Sequence, residues 1–152
     1  MRKIILSIAC LMFLAGCNSD AKFAVYLTET DQMVFSEDDV ASYDASNGAF
    51  SFTEEGLKNL EQFRSSTLEA GLYQEPFVVK IGDEEIYSGK FWSGFSSLSE
   101  LGIVMSDIGM LSTDFNTMYV SSGYPSGDSR DGDELINDKR IIERFREINK
   151  LK

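Results

Sequence analysis

Hydrophobic and polar residues change their spacing several times along the chain, and each change suggests an element. Residues 4–14 are uncharged and mainly apolar. Arg2 and Lys3 precede them, small Ala15 and Gly16 follow, and polar Asn18, Ser19 and Asp20 end the run. This is the layout of a secretory signal helix. It is short for a membrane span, which takes about 20 apolar residues. The pattern then turns to alternation. Residues 23–29, FAVYLTE, read as a strand. Ser36 followed by Glu37, Asp38 and Asp39 fits a serine cap with acids behind it, as in a single helical turn. VASYD and GAFSFT read as short strands around Asp44-Ala45-Ser46-Asn47-Gly48, which has turn chemistry.

The spacing changes to helical at Thr53, a good N-cap with Glu54 and Glu55 in the first turn, where the helix dipole favours negative charge. Leu57, Leu60, Phe63, Thr67 and Leu68 lie on one face and Gly71 is a natural stop, so a helix is expected over about 53–70. Leu57, Leu60 and Phe63 should be buried against a sheet that includes 77–81 and 85–90. Those two β-rich runs flank Gly82-Asp83, a pair suited to a tight primed turn, and form the clearest hairpin. Ser97 and Glu100 make a capping-box pattern, which points to a short helix over 96–102. IVMS and TMYVSS read as two further strands, and GYPSGDSRDGD as a loop in which Tyr124-Pro125 fixes a turn. A last helix is expected over about 133–151. Leu135, Ile141, Ile142, Phe145, Ile148 and Leu151 would form its buried side, and Lys150 and Lys152 would complement its dipole.

Together these elements imply an α+β fold. A single small, mostly antiparallel sheet would pack against a central helix (53–70) and a C-terminal helix (133–151), after an N-terminal signal helix. The expected organisation is a cleaved signal at 1–16, a tether at 17–22 and one domain at 23–152.

Leu14-Ala15-Gly16-Cys17 resembles the lipobox of bacterial lipoproteins. The resemblance implies cleavage before Cys17 and diacylglyceryl modification of its thiol, often with acylation of the new amino group. Each buried CH₂ of such chains contributes about 0.8 kcal/mol, so two or three chains hold a protein almost permanently. The implied location is the cell envelope: the outer membrane where the cell has one, otherwise the outer face of the cytoplasmic membrane. A second resemblance covers residues 48–89. GAFSFTEEGLKNLEQF followed by PFVVKIGDEEIYSGKF is similar to the periplasmic P1 head region of SecD-type translocase subunits, in which a strand runs into a Thr-x-x-Gly helix start and then a hairpin. The turn here is Gly82-Asp83, where that family has Asp-Gly. The resemblance implies an α+β sheet and no translocase activity.

Composition removes many chemistries. There is no histidine, so the commonest general base and metal ligand are missing. Cys10 would leave with the signal and Cys17 would be capped by lipid, so no thiol nucleophile, disulfide or zinc–cysteine site is expected. GYPSG places its serine one position late for a nucleophile elbow. The formal charge is −11, and it becomes −13 once Arg2 and Lys3 are removed, since acids stay at 25 while bases fall from 14 to 12. That surface repels nucleic acid, which is not expected as a partner. Eleven phenylalanines, six tyrosines and one tryptophan argue for a real core.

KFWSGF, residues 90–95, gathers Phe91, Trp92 and Phe95 beside small residues. It reads either as an interaction patch, since Trp and Phe make good anchors, or as plugs for the core of a small domain. The acid clusters are Glu37-Asp38-Asp39 and, over 128–134, Asp128, Asp131, Asp133 and Glu134. The second lacks the spacing of a calcium loop and holds Arg130 as a competing cation, so a solvated acidic loop is the simpler reading. No catalytic residue, cofactor or metal ligand is expected. The leading expectation is a non-catalytic interaction or envelope-maintenance module, bound to a membrane through lipid on Cys17 and to an envelope protein. A small-molecule or ion-binding module is the alternative, and a carboxylate-dependent hydrolase the third.

Overall fold

A computed structural model describes residues 21–67, 71–106, 116–125 and 136–152. The signal, Cys17 and the acidic loop at 128–134 lie outside the described residues. The strands are β1 Phe23–Leu27, β2 Met33–Ser36, β3 Val40–Asp44, β4 Ala49–Phe52, β5 Pro76–Ile81, β6 Glu84–Trp92, β7 Glu100–Ser106 and β8 Thr117–Tyr124. Two helices accompany them among the described residues, α1 Glu54–Thr67 and α2 Lys139–Glu147.

The eight strands form one mixed sheet in the order β2-β1-β5-β6-β7-β8-β4-β3, so the fold is α+β. Every neighbouring pair is antiparallel except β6–β7. The sheet curls until its two ends meet. Phe35 of β2 lies 5.9 Å from Phe50 and 5.0 Å from Phe52, both on β4 near the opposite end of the order. Alternate residues point inward, as the period of a strand requires. Phe23, Val25 and Leu27 of β1, Phe77 and Val79 of β5, and Met118 and Val120 of β8 share one core.

The turn between β2 and β3 also starts α1. Thr53 Oγ accepts the Gly56 N–H at 2.9 Å, which is the cap expected from the sequence. The Asp39 carbonyl receives both the Thr53 N–H and its hydroxyl. A Cβ on Gly56 would stand 2.2 Å from that carbonyl, so only glycine allows the approach. The helix packs on the sheet that contains residues 77–81 and 85–90, as expected, and meets it mainly at β2 and β4. Leu60 is fully buried, while Leu57 and Phe63 are half-buried. The hairpin itself forms, with Phe77 opposite Gly89 and Val79 opposite Tyr87, and Gly82 adopts φ +60° at the turn.

The helix expected over 96–102 does not form. Residues from Glu100 onward belong to β7, and the Glu100 carboxylate receives Lys90 Nζ at 2.9 Å. Ile103, Val104 and Met105 are buried between β6 and β8, and that burial outweighs a local cap worth little alone. The last helix is also shorter than 133–151. Its N-cap is Asp138, whose carboxylate accepts the Arg140 N–H. It stops because Asn149 turns to φ +57°. The Asn149 N–H then reaches the Arg146 carbonyl and the Lys150 N–H that of Phe145, closing the end as a Schellman motif. Residues 133–135 of the expected helix lie outside the described residues.

Candidate interaction surface

Two aromatic regions could carry function, and their polar groups differ. The first is the seam where the curled sheet meets itself. Glu37 sits there 4% exposed, with its Oε2 accepting the Phe23 N–H at 2.8 Å and its own N–H returning to the Phe23 carbonyl. Arg144 of α2 donates to both carboxylate oxygens, at 2.8 and 2.5 Å. This is the bidentate fork geometry that suits a guanidinium, and the Glu37 bond holds the Arg144 guanidinium more firmly protonated than usual. Lys150 Nζ donates to the carbonyls of Glu37 and Val40, each at 2.6 Å. Past the helix, Lys150 and Lys152 exchange main-chain hydrogen bonds with Tyr43, so the C-terminal residues lie on the free edge of β3. Phe145 fills the space beneath, 5.1 Å from Phe23 and 5.2 Å from Tyr43. The Glu37-Asp38-Asp39 cluster is thus fully engaged: Asp38 pairs with Lys22, and Asp39 accepts from Ser36 and Asn59.

The second region surrounds Trp92 at the end of β6. The sequence grouped Phe91, Trp92 and Phe95, but the fold separates them. Phe91 points into the central core beside Phe77. Trp92 lies outside that core, 4% exposed, with Tyr73 at 5.4 Å and Tyr124 at 6.3 Å. Phe95 is 76% exposed on the connection between β6 and β7, and Leu98 and Leu101 follow at 56% and 88%. Two tyrosine hydroxyls hold that connection from outside. Tyr124 donates to the Gly94 carbonyl at 2.5 Å, and Tyr73 shares a 2.8 Å bond with Ser96 Oγ. The Lys90–Glu100 pair joins its two feet, and the Lys90 bond draws the Glu100 carboxyl below its usual range. Trp92 Nε1 is buried with no acceptor among the described residues. An unpaired buried donor costs about 1–3 kcal/mol.

A third place is a shallow cleft of about 170 Å³ lined by Ala21, Ile81, Glu84, Arg140, Glu143, Arg144 and Glu147. It is small beside ligand pockets of about 300–1,000 Å³. Its guanidinium groups are already paired, Arg140 with Glu84 and Asp138, and Arg144 with Glu37. Among the described residues no group of three or more Asp, Glu, His or Cys is placed to hold a metal ion.

No protein-family model, curated protein or solved structure matches this chain.

Sequence reading located Trp92 and Phe95 but missed Tyr73, Tyr124, Leu98 and Leu101. Tyr73 and Tyr124 meet Trp92 only through strand order, which no local pattern encodes. Leu98 and Leu101 were legible: reading 96–102 as a helix hid them, whereas a strand starting at Glu100 leaves Leu101 to face solvent.

Proposed function

We propose that this protein is a lipid-anchored cell-envelope protein, tethered through Cys17, that acts by contact and without catalysis. The connection between β6 and β7, with the start of β7, is its contact surface. The observation that carries this reading is the position of Phe95, Leu98 and Leu101, three large apolar side chains exposed within seven residues. Exposed apolar groups gathered in this way are a common mark of interaction sites. The chain leading from the anchor arrives at Ala21, against the Gly82 turn at the start of β6. Trp92 ends that nine-residue strand, roughly 25 Å away at about 3.3 Å per residue. The surface therefore stands away from the point of attachment. The resemblance of residues 48–89 to a translocase head region is consistent with an envelope setting. Among the described residues the one buried carboxylate, Glu37, is held in structural bonds, which favours contact over carboxylate chemistry.

The test is a photo-crosslinking side chain at Leu101 in intact cells, with the same probe at exposed Glu61 of α1 as control. A discrete adduct from position 101 that is absent from position 61, and that is lost in Cys17→Ala, is the expected result. Identical patterns from both positions, or none from either, would remove the contact reading. Unchanged membrane partitioning and lipid labelling of Cys17→Ala would remove the anchor.

A further inference from the structure

The turn between β3 and β4 holds the only Asn-Gly pair in the chain, Asn47-Gly48. Asn47 is exposed, and Gly48 is buried against β8, where its carbonyl accepts the Val120 N–H. We propose that Asn47 is a self-modification site: in the folded protein its side-chain amide is displaced by the main-chain nitrogen of Gly48 and released as ammonia, and hydrolysis leaves a carboxylate in its place. This chemistry is independent of the contact surface and of the anchor.

Water is the only co-reactant. The Gly48 nitrogen gives its proton to hydroxide or buffer and bonds to Asn47 Cγ. The Cγ–Nδ2 bond then breaks, and Nδ2 takes a proton from solvent and leaves as ammonia. A five-membered cyclic imide now joins the two residues, and water opens it at one of its two carbonyls. Three features of the turn favour the first step. Gly48 has no Cβ, so its nitrogen is unhindered. No hydrogen bond holds the Gly48 N–H among the described residues, while the amides on either side are engaged, Asn47 N–H with the Asp44 carbonyl and Ala49 N–H with Asn47 Oδ1. That last bond, at 3.1 Å, falls on the oxygen that carries the negative charge once Cγ is attacked, so a main-chain donor is already in place for the oxyanion.

Other asparagines lack this setting. Asn59 is followed by Leu60 inside α1, and its side-chain amide is held by Asp39. Asn149 is followed by Lys150, whose N–H is bound to the Phe145 carbonyl. The fold also chooses between the products at position 47. Opening the imide at Cγ gives aspartate, keeps the path of the main chain and leaves a carboxylate oxygen for the Ala49 N–H. Opening at the main-chain carbonyl gives isoaspartate, which adds a CH₂ to the main chain and removes that acceptor. Gly48 cannot shift toward β8 to make room, since even a Cβ on it would stand 2.7 Å from the Val120 carbonyl. Aspartate is therefore the product the folded turn accommodates.

The test incubates the purified full chain at neutral and at mildly alkaline pH, beside the same chain held in denaturant, and follows each asparagine by peptide mapping and fragment mass spectrometry. The expected result in the folded sample is a gain of about 1 Da confined to position 47. It should appear sooner at the higher pH, at a rate no lower than in denaturant, and with a smaller share of isoaspartate than the denatured chain gives. Asn47→Gln should abolish the gain, because its ring would be one atom larger and closes far more slowly. Asn47→Asp, which is the aspartate product itself, should melt as the unmodified protein does. The mapping needs no variant, so the outcome does not hang on how either folds. Asn47 intact in the folded chain while it converts in denaturant overturns the site, since the fold would then protect it. So do equal gains at the other asparagines, or a gain that persists in Asn47→Gln.

Discussion

The seam around Glu37 and the ring cluster around Trp92 are built from similar material, and they differ in how completely they are finished. At the seam a buried carboxylate meets a guanidinium and a main-chain N–H, Lys150 donates to the Glu37 carbonyl, and the rings of Phe23, Phe50, Tyr43 and Phe145 pack edge and face beneath them. At Trp92 three rings also meet, but the indole donor is unpaired and the connection above it turns Phe95 and Leu98 to water. The first arrangement closes the fold with its buried charges paired. The second leaves one donor unpaired and several apolar side chains exposed, which is why the contact surface is proposed there.

The contrast is sharpest at Arg144. Arg144→Met should destabilise the protein by about 3–5 kcal/mol, because Glu37 would stay buried without its partner. Adding Glu37→Gln should return much of that loss, since the amide oxygen can still accept the Phe23 N–H. Denaturant unfolding of the single and double variants checks both statements, and a harmless Arg144→Met would break the comparison at its strong end. Phe145→Ala should cost a similar or slightly smaller amount, about 3–5 kcal/mol, through the cavity left among the rings of Phe23, Tyr43 and Phe50.

A smaller effect is expected in alkali. Burial pushes the Tyr43 phenol up to about 12, with the charge of Asp44 adding to the shift, and its hydroxyl donates to the Ile136 carbonyl. The fold favours the neutral form. Its contribution is therefore complete below about pH 10, the value of a free tyrosine, and is lost as pH rises from 10 to 12. Tyr43→Phe should flatten that part of a stability–pH curve by on the order of 2 kcal/mol. Burial also raises Tyr87, so some slope should remain. The smallest effect belongs to the other region. Replacing Phe95, Leu98 and Leu101 together by serine should change stability by about 0.5 kcal/mol per site or less, since all three are exposed. A thermal melt far below wild type would show that these side chains belong to the core, and the two regions would no longer differ in kind.

Local patterns revealed a good part of this architecture. β1, the β5–β6 hairpin, the Thr53 cap and the pairing of β3 with β4 follow from alternation and turn residues that act within a dozen positions. β2 was missed because four residues, MVFS, are too few to show a period. The capping-box pattern at Ser97 and Glu100 was a true local signal overruled by the burial of Ile103, Val104 and Met105 between neighbours far away in sequence. The end of α2 failed to show because Asn149, unlike a glycine, gives only a weak stop signal. At the candidate surface, Trp92 and Phe95 stood out by composition alone. The unpaired state of the indole, and its two tyrosine neighbours, arise from the order in which strands meet, and that order is set by long-range packing.

The clamp on Phe23 has a mechanical side. If the proposed anchor at Cys17 is loaded, the pull passes Lys22, whose carbonyl accepts the Gly82 N–H, and enters the sheet at Phe23, the first residue of a strand bonded on one side to β2 and on the other to β5. The hydrogen bonds of both ladders lie across the line of that pull, so they share the load as a sheared joint rather than opening one at a time. Phe23 is bound through both its N–H and its carbonyl to Glu37, and through Glu37 to α2, so tension passes at once into the buried ion pair. The Trp92 connection lies at the far end of β6 and off that line. If Cys17 is the tether we propose, a tug on it would leave the proposed contact surface slack.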